Sequence, residues 1–326
     1  MTVVSGIHCD LTPPPEWQST CDERGDLFHS PAWQSVLCRG FRCVSLYLWD
    51  AQARAGCALP VFPLGPFRMG YLGFPAGGGI GTLSAPASIA ENLDCLSYGR
   101  RIDAIRVPIS GFSRPLLSTQ RSVSAPETAI VDLAGWSADR LPPPLRRNLR
   151  KFQRSDLELR PCVDARGDAE RCYRLYRGTI DRHRGRRRYS RAYFRALLEL
   201  SLSSDRLRCT GAYAGGELAG FLVAACSGAT AFYLHGASDP RFQMARPSDA
   251  LFENAILWAK GVGADLFDMM SSPPSQEGLV RFKEKWGGTT RQHRTCTVAV
   301  SRIGGLAVGL LRLGGGKKEP SVLRRG

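Results

Sequence analysis

The order of apolar and polar positions predicts two similar series of helices and strands in the two halves of the chain. In the first half, Ser30 followed by Pro31 is typical of a helix start, and apolar runs with strand-like patterning follow it. The predicted elements are a helix after residue 30, strands at 44–49, 56–64 and 69–74, a helix near 87–100, and strands near 103–109 and 128–133.

The second half repeats this order after three consecutive prolines at 142–144. Asp168 is predicted to cap a helix, and Tyr193 and Leu197 mark a second one. Strands at 207–213, 218–226 and 231–236, a helix at about 247–261, and strands at 265–269 and 295–300 complete the series. The pattern predicts an α+β protein built from a duplicated unit.

The composition is that of a globular protein, with 43% hydrophobic and 22% charged residues. No apolar run reaches the roughly 20 residues of a membrane span, and the first residues lack the basic start and apolar stretch of a secretory signal. We therefore expect a soluble, cytoplasmic protein. The 11 cysteines form no C-x-x-C pair, which favours reduced structural thiols and predicts no metal site.

The net charge of +15 is concentrated in two segments. Residues 146–195 hold 17 basic and 6 acidic side chains, and residues 312–326 hold 5 and 1, whereas the rest of the chain is nearly neutral. Such clustering is typical of a surface that binds a polyanion; a solvated basic surface is the alternative. The candidate RNA-binding residues are Arg146, Arg147, Arg150, Lys151, Arg154, Arg182, Arg184, Arg186, Arg187, Arg188 and Arg191.

Local motifs in the second half resemble those of the Fem-type ligases. They are Y-L-H-G-A-S at 233–238, P-S-D-A-L at 247–251, F-D at 267–268, R-F-K-E-K-W-G at 281–287, and the basic R-R-N-L-R-K at 146–151. The relatives are aminoacyl-tRNA-dependent transferases that extend peptidoglycan bridges, alongside leucyl/phenylalanyl-tRNA protein transferases and unassigned acyltransferases. The inserted helical arm of that family is not evident here.

The resemblance implies tandem GNAT-fold domains, each with a mixed, mainly antiparallel sheet flanked by helices. The first domain is expected at 1–145, the donor-binding and catalytic second domain at 146–311, and a basic tail at 312–326. By the same resemblance, the reaction is attack of an acceptor amine on an activated carbonyl, with amide formation.

The fold is compatible with two donors, acyl-CoA and aminoacyl-tRNA. Acetyl-CoA enzymes of this fold hold the pyrophosphate on backbone N–H groups at a helix start through a glycine-containing loop. The corresponding stretch here, Q-M-A-R-P-S at 243–248, has neither glycine, Pro247 lacks an N–H, and Asp249 adds negative charge. Because the basic segment also suits a polyphosphate, aminoacyl-tRNA is favoured as co-substrate, and no other cofactor is expected.

Lys283 and Asp268 are the candidate catalytic residues. Lys283 matches the lysine of the family's F-K motif and could serve the developing oxyanion; a surface lysine is the alternative. Asp268 occupies a strand position where tRNA-dependent relatives place an acidic residue, and it could orient the amine or relay its proton. A local cap or ion pair is the alternative for Asp268.

Seven further residues are candidates for substrate binding. Tyr233 and His235 alternate along a strand, so we expect them on one face, with His235 either a proton carrier or a structural histidine. Phe282 and Trp286 either wall the acceptor pocket, stack a terminal adenine or pack in the core. The remaining candidates are Arg246 and Ser248 at the helix start and His183 in the second basic cluster.

Three functions follow from these observations. The favoured one is transfer of an amino acid from aminoacyl-tRNA to an amine of a peptide, an amino-sugar precursor or a small metabolite. The alternatives are an acyl-CoA-dependent N-acyltransferase, and a non-catalytic protein that binds RNA or an anionic surface. The sequence leaves the amino acid, the acceptor and the oligomeric state open.

Overall fold

A computed structural model describes residues 7–52, 54–76, 79–80, 102–109, 121–272 and 277–313. The chain divides into two compact units, a first unit of residues 1–125 and 293–326 and a second unit of residues 126–292. The helix predicted near 87–100 and the basic tail beyond residue 313 lie outside the described residues. The units do not follow the predicted domain limits, because residues 126–145 belong to the second unit and residues 293–311 to the first.

The described residues form helices and strands close to the predicted positions. The helices are α1 (Trp17–Arg24), α2 (Pro31–Phe41), α3 (Pro143–Gln153), α4 (Gly167–Arg182), α5 (Arg191–Ser203), α6 (Pro247–Gly261), α7 (Glu277–Glu284) and α8 (Arg302–Leu313). The strands are β1 (Ile7–Asp10), β2 (Val44–Asp50), β3 (Ala55–Leu64), β4 (Phe67–Tyr71), β5 (Ala104–Ile109), β6 (Arg121–Asp132), β7 (Leu157–Pro161), β8 (Leu207–Ala214), β9 (Glu217–Ser227), β10 (Thr230–Ser238), β11 (Leu266–Ser271) and β12 (Thr289–Ala299). None of these helices combines the length and apolar character that a membrane span requires.

In the first unit, strands β1 to β5 lie side by side and the C-terminal part of β12 pairs with β5. All these pairs are antiparallel except β4 with β5. The predicted start of α2 is confirmed, since the Ser30 hydroxyl accepts a hydrogen bond from the Trp33 N–H at 3.2 Å. Leu46, Leu59 and Ile105 form part of the apolar core of the first unit.

The second unit has the strand order β6-β11-β10-β9-β8-β7, antiparallel except for β10 with β11. Successive residues of β9 mark the two faces of this sheet. Leu222 lies in the core beneath α3 and α6, whereas Phe221 packs against Phe194 of α5, with ring centroids 6.0 Å apart. Both units are therefore mixed, mainly antiparallel sheets flanked by helices, as predicted.

Helix α4 departs from one prediction about its start. Asp168 does not cap it, because the helix begins at Gly167 and the side chain that accepts the N–H groups of Arg166 and Gly167 belongs to Asp164. Asp168 is instead buried in the first turn, where its carboxylate accepts the N–H groups of Val163 and Asp164, both at 3.1 Å.

Candidate active site

A cavity of about 450 Å³ opens in the second unit, where the strands of the sheet separate. The parallel pairing of β10 with β11 covers residues 230–232 only, and the following residues of β10 line the cavity instead. The other walls come from β9, the start of α3, the end of α4, the start of α6, and α7 with the residues after it. The cavity therefore lies at a gap in the sheet that helix ends surround.

A bulge in β10 places the two candidate residues of this strand on opposite faces. The register with β9 shifts between Tyr233, opposite Ala224, and His235, opposite Val223. A bulge inserts one extra residue and so breaks the alternation of side chains. The prediction that Tyr233 and His235 share a face is therefore wrong, because simple alternation assumes a regular strand.

Tyr233 lines the cavity and is held by aromatic packing. Its ring lies 4.8 Å from that of Phe252 on α6. Its hydroxyl lies over Gly236, where an added Cβ would come within 2.7 Å of it. Burial raises the pKa of Tyr233 to about 12, so its O–H is a hydrogen-bond donor throughout the neutral range.

His235 lies away from the cavity, among aromatic side chains on the α5 face. Its Nε2 lies 2.8 Å from the Tyr193 hydroxyl, and the Tyr189 and Phe194 rings pack against it with centroids 4.4 and 5.6 Å away. Burial lowers the pKa of His235 to about 3. The arrangement supports the structural alternative for this histidine over a proton carrier.

The start of α6 forms the wall where an acyl-CoA enzyme would hold a pyrophosphate. Arg246 precedes the helix in the left-handed conformation, with φ of 61°. Its carbonyl accepts the N–H groups of Asp249 and Ala250 at 3.2 and 3.4 Å, and Pro247 has none to offer. The Ser248 hydroxyl donates to the Ser238 hydroxyl at 3.1 Å. Arg246 and Ser248 both line the cavity, but most of the first-turn donors are already engaged.

A buried carboxylate lies in the same wall. Asp249 is only 7% exposed and accepts a hydrogen bond from the Asn148 side-chain amide at 2.9 Å. Burial is the largest influence on the pKa of Asp249 and raises it, while the Asn148 hydrogen bond and the charges of Arg246 and Lys285 oppose that shift. The pKa of Asp249 is therefore higher than that of an exposed aspartate.

Asn148 and Asp249 are not among the residues that the sequence proposes for the site. Asn148 lies within the basic R-R-N-L-R-K segment, which the sequence assigns to an exposed surface. In the structure it lies next to Leu149 on the inward face of α3. Asp249 was interpreted only as a charge that opposes a diphosphate. The signal available was their polar character at positions that otherwise face inward, and the contact between them joins residues 101 positions apart.

Lys283 and Asp268 come together, but neither lines the cavity. Lys283 is 2% exposed, and its ammonium donates to the Met270 carbonyl at 2.6 Å. The Asp268 carboxylate accepts the Met270 N–H at 2.6 Å. Both side chains therefore bind the backbone of Met270, whose φ of 59° is unusual for a residue other than glycine. Burial lowers the pKa of Lys283 to about 8, with Asp268 opposing the shift.

Phe282 and Trp286 form an aromatic wall with Phe252. The Phe282 and Phe252 ring centroids lie 4.9 Å apart, and those of Trp286 and Phe252 lie 5.9 Å apart in a stacked arrangement. Trp286 is fully buried, and its Nε1–H has no hydrogen-bond partner among the described residues. Trp286 therefore belongs to the packed wall of the cavity, and its Nε1–H is buried within that wall.

The two basic clusters flank the cavity and lie on exposed surfaces. In α3, Leu145 and Asn148 face inward and line the cavity. At the end of α4, Arg182 and the exposed His183 line it too. The exposed cluster residues on α3 are Arg146, Arg147, Arg150, Lys151 and Arg154, and those after α4 are Arg184, Arg186, Arg187, Arg188 and Arg191.

The arginines of the second cluster differ in how they are paired. Arg187 forms a bidentate pair with Asp181 at 2.9 and 3.0 Å, and Arg191 lies 3.3 Å from Glu170. In the part of the chain that the structure covers, no ion pair involves Arg184 or Arg186. These two side chains are therefore the more available to an external anion.

Comparisons with known proteins agree with this architecture. Residues 144–284 match the model of the acetyltransferase (GNAT) domain, and no match was found among curated protein sequences. The solved structure of FemX is 13% identical and covers 94% of this chain and 99% of its own, with a TM-score of 0.66.

Two further solved structures are also similar. The C-terminal domain of a putative lysylphosphatidylglycerol synthetase from Agrobacterium fabrum and the L-PGS of Bacillus licheniformis are each 16% identical with a TM-score of 0.58. They cover 93% and 94% of this chain and 99% and 98% of their own. The chain therefore has the tandem GNAT fold that it shares with FemX, with a GNAT domain in residues 144–284.

Proposed function

We propose that the protein is an aminoacyltransferase that moves an amino acid from aminoacyl-tRNA to an amine acceptor in the cavity of the second unit. One observation carries the proposal. Exposed arginines flank the cavity, while the start of α6 has little left to bind a diphosphate, because Arg246 engages two of its first N–H groups and Asp249 is buried there. The charge suits a tRNA.

The structural neighbours support an aminoacyl donor. One of them is named a putative lysylphosphatidylglycerol synthetase, a name that describes the joining of lysine to an acceptor, and the others are named L-PGS and FemX. For this chain we retain the amine of a peptide, an amino-sugar precursor or a small metabolite as acceptor. Because charged tRNA is the donor, the cytoplasm is the expected location.

The bonds change in one direct displacement. The acceptor amine attacks the ester carbonyl of the aminoacyl-tRNA, a C–N bond forms, and the C–O bond to the 3′ ribose breaks. The amine loses one proton and the ribose oxygen gains one. A general base and hydrogen-bond donors aimed at the oxygens are therefore needed.

The cavity supplies both kinds of group. Asp249, raised in pKa by burial and held by Asn148, is placed to accept the amine proton. The Tyr233 hydroxyl and the Arg246 guanidinium belong to residues that line the cavity and are candidate donors. Lys283 and Asp268, predicted to be catalytic, have a positioning role in this proposal, since both hold the backbone of Met270. His183, Ser248 and Phe282 complete the walls that contact substrate.

The test is to incubate the protein with a pool of charged tRNAs and ask which one is deacylated when cell extract is added. We expect one aminoacyl-tRNA to be consumed only when extract is present, and RNase to stop product formation. Product formed from acyl-CoA and unaffected by RNase would overturn the tRNA donor.

The family match favours one second candidate. Because residues 144–284 match an acetyltransferase domain, an acyl-CoA-dependent N-acyltransferase acting on an anionic acceptor is the alternative enzyme. Failure of CoA to bind at high concentration excludes it. A non-catalytic RNA- or anionic-surface-binding protein is the remaining alternative, and it predicts tRNA binding without turnover for any charged tRNA.

A further inference from the structure

Three cysteine side chains meet in the second unit, on the α4 face of the sheet. The Sγ atoms of Cys162, Cys172 and Cys209 all lie within 4.8 Å of one another. Cys162 follows β7, Cys172 lies in α4 and Cys209 lies in β8. Each side chain is at most 2% exposed. The fold therefore brings three thiols from three separate elements to one buried point.

We infer that Cys162, Cys172 and Cys209 form a structural binding site for a thiophilic divalent cation, with zinc as the expected ion. Zinc is held by cysteine thiolates at about 2.3 Å, so three thiolates around one ion lie about 3.8 Å apart. The observed sulfur separations, bounded by 4.8 Å, require a contraction of about 1 Å or less. This inference is independent of the proposed aminoacyl transfer.

Oxygen atoms beside the cluster match the surroundings of such an ion. The Tyr213 hydroxyl lies 3.4 Å from the Cys162 Sγ, which is close to the sulfur-to-oxygen separation of about 3.5 Å expected for two ligands of one tetrahedral zinc. The same hydroxyl donates to the Asp168 carboxylate at 3.1 Å. Tyr213 is thus placed to complete or orient the set, with Asp168 behind it.

Positive groups near the cluster compensate the negative charge of a site that holds an ion. Binding releases the three thiol protons to solvent, and a divalent ion with three thiolates carries a net charge of −1. The neighbouring Asp168 carboxylate is compensated by the Arg171 guanidinium at 3.0 Å and by two backbone N–H groups. The Arg160 guanidinium lies 4.0 Å above the Tyr213 ring and adds positive charge beside the cluster.

The site would add a link between three elements of the second unit. It joins the edge strand β7, its neighbour β8 and the first half of α4. Helix α4 ends at Arg182, which lines the cavity, and leads into the second basic cluster. A bound ion is therefore expected to stabilise the second unit and the helix that carries this side of the cavity, without touching substrate.

The experiment titrates the full chain, reduced and freed of metal by a chelator, with Co²⁺ as an optical probe. We expect thiolate-to-cobalt charge-transfer absorption that saturates at one ion per chain and is displaced by Zn²⁺. Cys172→Ser and Cys209→Ser should each reduce the affinity at least tenfold. Cys226→Ser, at an equally buried cysteine of β9, is the matched control and should titrate like the native chain.

Stability supplies a second measurement that does not depend on the optical probe. Zn²⁺ at about a hundredfold excess over its Kd should raise the Tm of the native chain and of Cys226→Ser by about 5–10 °C, and leave Cys172→Ala unchanged. Three results would overturn the inference: no charge-transfer absorption in the reduced native chain, absorption that persists in a Cys172→Ser, Cys209→Ser double variant, or a disulfide between two of the three cysteines in the freshly purified protein.

Discussion

The side-chain amide of Asn148 donates a hydrogen bond of 2.9 Å to the carboxylate of Asp249. The contact joins the inward face of α3 to the first turn of α6 at the wall of the cavity. A carboxylate buried to this extent is stabilised only by partners that remain in place. Asn148 therefore fixes the position of the one group in the cavity that we assign to proton transfer.

Replacing Asp249 with asparagine is expected to lower the rate of aminoacyl transfer by about 10²–10⁴-fold, because the acceptor amine loses its base. The change preserves the shape of the side chain, so the Tm should move little. The measurement is single-turnover transfer from the charged tRNA identified in the pool assay. Glu253→Gln on the same helix, outside the cavity lining, is the matched control, and a D249N rate equal to that of E253Q would contradict the assignment.

Neutralising two of the arginines without an ion pair in the second cluster is expected to weaken tRNA binding more than neutralising two paired ones. Arg184→Gln with Arg186→Gln removes two exposed guanidinium groups, and the slope of log K against log salt should fall by about 0.7–0.9 for each lost phosphate contact. Filter binding over a series of salt concentrations measures the slope. Arg187→Gln with Arg191→Gln, whose guanidinium groups already contact Asp181 and Glu170, should change it less; equal effects would show that pairing does not matter.

Much of the fold could be predicted from the sequence because local signals agree with it. Ser30 and Pro31 begin a helix, the basic segment at 146–151 lies on a helix, and the apolar runs became strands within one to three residues of most predicted limits. The division into two units could not be predicted from the sequence in the same way. It depends on β12 pairing with β5, a contact between residues nearly 200 positions apart that no local pattern encodes.

Most of the side chains predicted to bind substrate come together in the structure, and the exceptions have physical causes. Tyr233, Arg246, Ser248, Phe282 and Trp286 do line one cavity. His235 lies on the other face because a bulge, which leaves no mark in the alternation of residues, shifts β10 by one position. The three-cysteine cluster was also missed, since its sequence spacing follows no metal motif and the thiols meet only in the folded unit.

The depressed pKa of Lys283 predicts a pH dependence of stability. With a folded-state pKa of about 8 and an unfolded value near 10.4, the native state binds fewer protons than the unfolded state between these limits. The contribution of Lys283 to the free energy of unfolding should therefore rise with pH from 8 to about 10.4, by at most about 1.4 kcal/mol per pH unit.

Urea unfolding of the native chain and of Lys283→Met over this range measures the effect. The free energy of unfolding of the native chain minus that of Lys283→Met should increase with pH, because methionine has no proton to lose. Lys285→Met, at an exposed lysine two positions on, controls for removal of a lysine and should give a constant difference. A constant difference for Lys283→Met as well would show that its ammonium is not desolvated in the native state.

The buried His235 predicts a loss of stability at acidic pH. Burial lowers its folded-state pKa to about 3, below the unfolded value near 6.5. As the pH falls from 6.5 towards 3, the unfolded state gains a proton that the native state does not bind, so the stability contributed by the neutral imidazole is lost over that window. His235→Phe should remove this loss, whereas His183→Gln, at an exposed histidine, should retain it.

Removing the partner of His235 gives a second, independent outcome. Tyr193→Phe deletes the hydroxyl 2.8 Å from His235 Nε2 and leaves a buried ring nitrogen without that hydrogen bond, which should cost about 1–3 kcal/mol at pH 7. In the double variant Tyr193→Phe, His235→Phe the penalty should shrink, since the ring nitrogen that loses its partner is removed as well. If the two single changes were additive in denaturant unfolding, the hydrogen bond between them would not contribute to stability.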